Sequence, residues 1–175
     1  MSNSRNEIFS WVKSIGIALL IVMIVRHFIF VPQVVKGESM MPTLQDGNKV
    51  IVSKISEIER FDQIVFHAPD KEANYVKRVI GLPGDQIEMV DDTLYINGKA
   101  YKEPYLQEYK KDLLPYQKFT GNFDAVTVPN GHLFVMGDNR LKSKDSRHFG
   151  AITESAVIGK VTLRFWPLNE VNVTK

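Results

Sequence analysis

An uninterrupted apolar run from Ile15 to Val25, held between Lys13 and Arg26, constrains this chain more than any other feature. Nearly every position is apolar, so a helix built from it has no polar face to give to water and does not behave as an ordinary core helix. The run alone is too short for a bilayer, which needs roughly 20 residues. It reaches that length when Phe9, Trp11 and Val12 join one end and Phe28 to Val31 the other, with Lys13, Arg26 and His27 snorkelling to the headgroups and Trp11 at the interface. A cleaved leader would end in a small-x-small site, but Arg26-His27-Phe28-Ile29-Phe30 follows instead. Residues 1–31 are therefore read as a short N-terminus and a transmembrane anchor. The charges do not orient it, because Arg5 and Lys13 on one side are matched by Arg26 and Lys36 on the other.

From Pro32 onward, short β-like runs alternate with turn residues. The expected strands are Lys49–Ile55, Gln63–His67, Asn74–Ile80, Gln86–Val90, Thr93–Ile96, Ala125–Val128, His132–Met136 and Val157–Phe165. Asp91-Asp92, Asn97-Gly98, Pro83-Gly84-Asp85 and Pro129-Asn130-Gly131 supply the turns between them. Lys102–Asn122, with Pro104, Pro115 and several tyrosines, fits neither period and is read as an extended loop or small insertion. The 175 residues leave room for one such domain, 32–175, behind the anchor. The expected fold is thus mainly β behind an N-terminal transmembrane helix.

Two short stretches carry chemistry: Gly37-Glu38-Ser39-Met40-Met41-Pro42-Thr43-Leu44 and Tyr75-Val76-Lys77-Arg78-Val79-Ile80-Gly81. A serine hydroxyl needs a base, and a lysine serves as one only when desolvation or a positive neighbour depresses its pKa. On a strand, Lys77 shares a face with Tyr75 and Val79, among apolar side chains, where burial lowers an amine by up to roughly 3 to 5 units. Alternation also sets Arg78 between Val76 and Ile80, so periodicity does not choose between the two cations. Their chemistry does, because arginine keeps its proton. A strand lysine ordinarily snorkels to solvent instead.

Other chemistries find little support. With no Cys, disulfides, thiolate catalysis and Cys-based metal sites are excluded. A net charge of +2, without a basic stripe carrying interleaved aromatics, does not suggest nucleic acid. His27, His67, His132 and His148 lack metal-ligand spacing, so neither a metal nor another cofactor is expected.

Taken with Asp62–Phe66, the stretch running on to Asp85 and the segment Gly137-Asp138-Asn139-Arg140 through Ser143, Asp145, Ser146 and Arg147 to Gly150, these motifs make the chain resemble bacterial type I signal peptidase. The resemblance extends over nearly the whole chain and implies a domain of coiled antiparallel β-sheets. It also implies Ser39 as acylating nucleophile, Lys77 as general base, Ser143 as the hydroxyl that orients the lysine, and Asp145 paired with Arg147 and Arg78. Gly37 stands where some members carry a serine that completes the oxyanion hole, so this chain needs another second donor. Val35, Met40, Leu44, Tyr75 and Val76 match the shallow apolar pockets that select small residues one and three positions before the cleaved bond. Phe61 stands before Asp62 where the family more often has glycine.

The implied partners are signal-peptide-bearing preproteins and the lipid bilayer. The implied location is the cell membrane, single-pass, with the catalytic domain on the extracytoplasmic face. Lysine in place of histidine at 77 points to the bacterial form, and the short region between Asp85 and Gly137 resembles the compact Gram-positive enzymes. Two rivals are a self-cleaving Ser/Lys repressor-type protein, which would lack the anchor, and an inactive membrane-tethered β module, which would be expected to lack the serine or the lysine.

Overall fold

The apolar run forms α1 (Asn3–Phe28), in which the 20-residue stretch Glu7–Arg26 has no part buried against the rest of the protein. At about 1.5 Å per residue that stretch is about 30 Å long, the thickness of a bilayer's hydrocarbon core. This computed structural model describes residues 3–111, 114 and 117–174. The helix stops at Phe28, short of the expected boundary at Val31. Phe30 and Val31 instead begin β1 (Phe30–Val34). Pro32 hides this strand in the sequence but suits an edge position, where a missing N–H breaks no ladder.

The remaining strands are β2 (Lys49–Ser53), β3 (Gln63–His67), β4 (Asn74–Gly81), β5 (Gln86–Val90), β6 (Thr93–Ile96), β7 (Lys99–Tyr101), β8 (Phe123–Thr127), β9 (His132–Met136), β10 (Ile152–Thr153), β11 (Val157–Trp166) and β12 (Asn172–Val173). One sheet has the order β1-β2-β11-β3-β4-β9-β10, with β12 paired to β11, and a smaller one the order β7-β6-β5-β8. All pairs are antiparallel. The expected mainly β fold holds. β7, β10 and β12 were not expected; each is too short to show a period and exists through the neighbour it pairs with.

Turn chemistry acts where alternation predicts it. Asp91-Asp92 and Asn97-Gly98 all have positive φ, as tight hairpins require. Register shifts within β4, β5 and β11 bend the sheets. Gly81 lies where a Cβ would come within 2.9 Å of Ile87 and Val128, so a bare backbone lets β4 pass into the smaller sheet.

Three apolar clusters form the core. Val35, Met40, Leu44, Val50, Val52, Val65 and Val161 pack beneath the Ser39 turn. Ile64, Phe66, Val79, Leu133, Val135 and Ile152 fill the second, beside β4. Ile80, Ile87, Met89, Leu94, Ile96, Val128, Phe134 and Met136 join the two sheets. The segment expected as a loop contains a 3-10 turn, Pro104–Leu106, and α2 (Gln107–Lys111), with Leu106 and Phe119 buried. Asp112, Leu113, Pro115 and Tyr116 of that segment lie outside the described residues.

Candidate active site

Ser39 stands on a turn between β1 and β2 that is pinned on both sides. Gly37 takes φ +81°, and its N–H donates to Asp46 Oδ1 at 2.7 Å. On the far side Met41 N–H donates to Glu38 O and Leu44 N–H to Met40 O, while Met40 and Leu44 are buried in the core. The positive φ explains glycine at 37, because an L side chain there is strained.

Lys77 comes from β4, opposite Ile64 of β3, and is only 3% exposed. Its Nζ lies 2.6 Å from Ser39 Oγ and over the Tyr75 ring. Burial pushes the amine down to about 8, against the opposing pull of Asp145 and Asp138 and with help from Lys71 and Arg147. At pH 7 about one such amine in ten is neutral. Ser39 and Lys77 were linked in the sequence only through their contexts; the fold places them in hydrogen-bond reach.

Arg78, on the opposite face of β4, is also 3% exposed. Its partner is not Asp145, as expected, but Asp138, held through Nε at 2.8 Å and Nη2 at 2.6 Å, while Nη1 donates to Phe61 O at 2.7 Å. Burial would push this guanidinium down, and the Asp138 bonds outweigh it. The pairing follows from register: Arg78 sits opposite Met136 of β9, and Asp138 follows two residues after that strand's end. Asp138 also accepts a hydrogen bond from Thr43 Oγ1 at 2.6 Å, which ties Arg78 to the Ser39 turn. In the sequence Gly137-Asp138-Asn139 reads as a turn. The available signal was a buried strand arginine, which requires a carboxylate.

Asn139 adds two clasps, its N–H donating to Ser39 O at 3.0 Å and its Nδ2 to Glu38 O at 3.1 Å. A Cβ on Gly137 would collide with Ser143 Oγ and with Ser39 O, so this loop reaches the Ser39 turn only because residue 137 is glycine. Phe61, at φ +71°, occupies the left-handed conformation that explains the family's glycine there.

Asp145 does pair with Arg147, at 2.8 Å to both Nε and Nη2, and it caps α3 (Ser146–Phe149). Burial would raise this carboxyl, but Arg147 and the Gly137 N–H hold it below the ordinary range. Ser143 is buried beside that carboxyl, which its hydroxyl also helps to hold down, but among the described residues its Oγ makes no hydrogen bond to Lys77. His148 Nδ1 accepts from Asp145 N–H at 3.4 Å and closes the cap.

A cleft of about 670 Å³ runs past Ser39 and Lys77, walled by Gln33–Met40 on one side and Glu72–Lys77 on the other. Val35, Met40, Tyr75 and Val76 line it. Leu44 does not: it is absent from the cleft lining and packs in the core cluster with Val35 and Met40, so its expected place in a pocket is corrected to the packing behind those two. Among the described residues no group of three or more His, Asp or Glu side chains is placed to hold a metal ion.

A family described as "Signal peptidase, peptidase S26" matches residues 8–166. A signal peptidase I of Bacillus licheniformis is 46% identical across 99% of this chain and 96% of its own. A signal peptidase I of Bacillus caldolyticus is 52% identical across 88% and 89%, and signal peptidase IB of Staphylococcus aureus is 46% identical across 95% and 93%. A crystal structure of a signal peptidase I from Enterococcus faecalis superposes with a TM-score of 0.60 at 41% identity, covering 62% of this chain and 99% of that one.

Proposed function

Because the chain belongs to the signal peptidase family, peptidase S26, and is thus a serine endopeptidase that cleaves signal peptides, we propose that Ser39 is its nucleophile and Lys77 its general base. The observation that carries this reading is the 2.6 Å separation of Ser39 Oγ from an amine that is buried and depressed to about 8. Geometry and proton affinity agree, which is what a general base requires.

In its neutral form Lys77 accepts the Ser39 hydroxyl proton as Oγ bonds to the scissile carbonyl carbon. The negative charge that develops on the carbonyl oxygen needs preorganised donors. Ser39 N–H, which among the described residues engages no acceptor, supplies one. Gly37 N–H is committed to Asp46 and does not supply the second. Collapse breaks the C–N bond, the departing amine takes the proton from Lys77, and an ester remains on Ser39. Lys77 then deprotonates water, which adds to the ester carbonyl, and Ser39 leaves with the proton as the carboxylate is released.

Asp145 with Arg147, and Arg78 with Asp138, hold the framework around this pair, and Ser143 packs against Gly137 beside the Asp145 carboxyl. The substrate lies extended between the two cleft walls. Val35, Met40, Tyr75 and Val76 line this cleft, with Leu44 packed behind Val35 and Met40, and in this reading their bulk turns away large substrate side chains. One apolar N-terminal helix in this family fits a single-pass membrane protein. In the proposed arrangement α1 anchors residues 32–175 on the extracytoplasmic face, where preproteins emerge.

Incubating the chain in detergent or lipid with a signal-peptide-bearing precursor, then sequencing the new N-terminus, tests this reading. Cleavage after a small-x-small pattern that disappears in Ser39→Ala is expected. Undiminished cleavage by Ser39→Ala sinks it.

A further inference from the structure

A second buried ionic centre lies behind the site, and neither Ser39 nor Lys77 takes part in it. Glu103, at the exit of β7, is 8% exposed and meets the 3%-exposed Arg140 in a buried ion pair. Tyr105 OH donates to Glu103 Oε1 at 2.7 Å, and the Tyr105 ring lies 4.0 Å from the Arg78 guanidinium carbon. One acid from the smaller sheet therefore reaches both arginines behind the nucleophile turn, one directly and one through a ring.

Each path ends on the turn that carries Ser39. Along the first, Arg140 Nε donates to Gly137 O at 2.9 Å, and the Gly137 backbone packs so closely on Ser39 O and Ser143 that no Cβ fits. Along the second, Arg78 binds Asp138, and Asp138 accepts from Thr43. Arg140 and Glu103 are both out of water, so neither charge is easily relocated when its partner is lost. A displaced Arg140 releases the Gly137 carbonyl, and with it the loop that carries Asp138, Asn139 and Asp145.

From this connectivity we infer that Glu103, with Tyr105, is a positioning element for peptide-bond cleavage: the smaller sheet delivers it to hold the Gly137–Asp145 loop against the Ser39 turn. The inference rests on the Ser39/Lys77 reading. It gives the smaller sheet a role in the reaction, although none of its strands lines the cleft.

The test compares wild type, Glu103→Gln, Tyr105→Phe and the double variant Glu103→Gln/Arg140→Gln in the full-length detergent-solubilised chain. The substrate is a signal-peptide-bearing precursor, and rates are taken per folded molecule from near-UV circular dichroism. Glu103→Gln is expected to lower kcat about tenfold or more with KM within about twofold. Its pH-rate midpoint should move down by about half a unit, because Asp145 and Asp138 withdraw from Lys77 while Arg140 gains an uncompensated charge. Tyr105→Phe, which keeps the ring under Arg78, should fall by about threefold.

The double variant removes both buried charges and should fold better than Glu103→Gln, while its kcat stays low because Gly137 O has lost its donor. Full recovery of kcat in the double variant overturns the inference, since only a role in stability predicts it. So does a folded Glu103→Gln with unchanged kcat and midpoint. Ser39→Ala in the same assay separates the two levels: cleavage that persists there defeats the nucleophile assignment, whereas Ser39-dependent cleavage insensitive to Glu103 defeats only the positioning role.

Discussion

The two faces of β4 each bury a cation and treat it in opposite ways. Lys77 faces Ser39 and the Tyr75 ring, with carboxylates felt through space but, among the described residues, none bonded to its amine, so desolvation prevails and the proton is loosened. Arg78, the next residue, donates to both oxygens of Asp138 and keeps its charge. Burial alone does not make a base. A buried cation becomes reactive when its carboxylates stay out of bonding reach and structural when one is within it.

The largest effect that tests this contrast is on turnover. Lys77→Ala and Lys77→Arg are each expected to lose at least about a thousandfold in kcat/KM on a precursor, with circular dichroism unchanged for the alanine variant. The arginine keeps a charge but not a removable proton. Activity of Lys77→Arg near wild type would erase the distinction between the two faces.

Asp138→Ala transfers the problem to the other face by leaving Arg78 buried and unpaired. Truncating one member of such a pair costs about 3 to 5 kcal/mol, read by denaturant unfolding. A loss below about 1 kcal/mol would place Asp138 among ordinary surface partners.

Titration sharpens the comparison further. Precursor cleavage should rise with pH through a midpoint near 8, where Lys77 loses its proton. Stability follows with a definite sign. An unfolded chain holds this proton up to the ordinary 10.5 and the folded one only to about 8. The penalty for burying the ammonium is therefore fully present below 8 and is relieved as pH rises from there to 10.5, by up to about 3 kcal/mol. Lys77→Met should accordingly be more stable than wild type at pH 7, with a difference that closes by pH 10.5. A difference constant across that range would mean Lys77 is not depressed.

A smaller effect is expected at the nucleophile turn. Gly37→Ser offers a hydroxyl beside Ser39 but forces an L residue to φ +81°, at a cost of about 1 kcal/mol, and should lower activity rather than raise it. The smallest effect belongs to an exposed cation. Lys118→Ala breaks an ion pair with Asp91 at the surface and should shift Tm by no more than about a degree, with cleavage unchanged.

Much of the fold was legible residue by residue. Gln63–His67, Gln86–Val90, Thr93–Ile96 and His132–Met136 carry enough β-branched and apolar residues between turn signals to be bounded from the sequence, and the structure gives the same limits. β1 was not legible, because it continues the apolar composition of the N-terminal helix and contains Pro32. At the site, Ser39 and Lys77 were nameable from their contexts. Of the arginines' partners, Asp145 for Arg147 was nameable from the resemblance and lies two residues away, at the cap of α3; Asp138 for Arg78 was not, because Asp138 and Asp145 stand in one loop and only strand register brings Arg78 to the first of them. The pocket residues divided for a similar reason. Val35, Met40 and Leu44 are equally apolar in the sequence and all buried in one cluster, and only the path of the folded turn decides that the first two line the cleft and Leu44 does not.

By itself the sequence determined an apolar N-terminal helix, a mainly β fold behind it, and Ser39 and Lys77 as the residues proposed for nucleophile and base, since hydropathy, periodicity and proton affinity are properties of the residues and their neighbours in the chain. The tertiary structure alone decided which of two adjacent buried cations is free of a bonded carboxylate. It also brought Glu103 of the smaller sheet to Arg140 behind the nucleophile turn. Desolvation and pairing depend on what lies within a few ångströms in space, and Arg78 and Asp138, at 2.6 Å, are far apart along the chain.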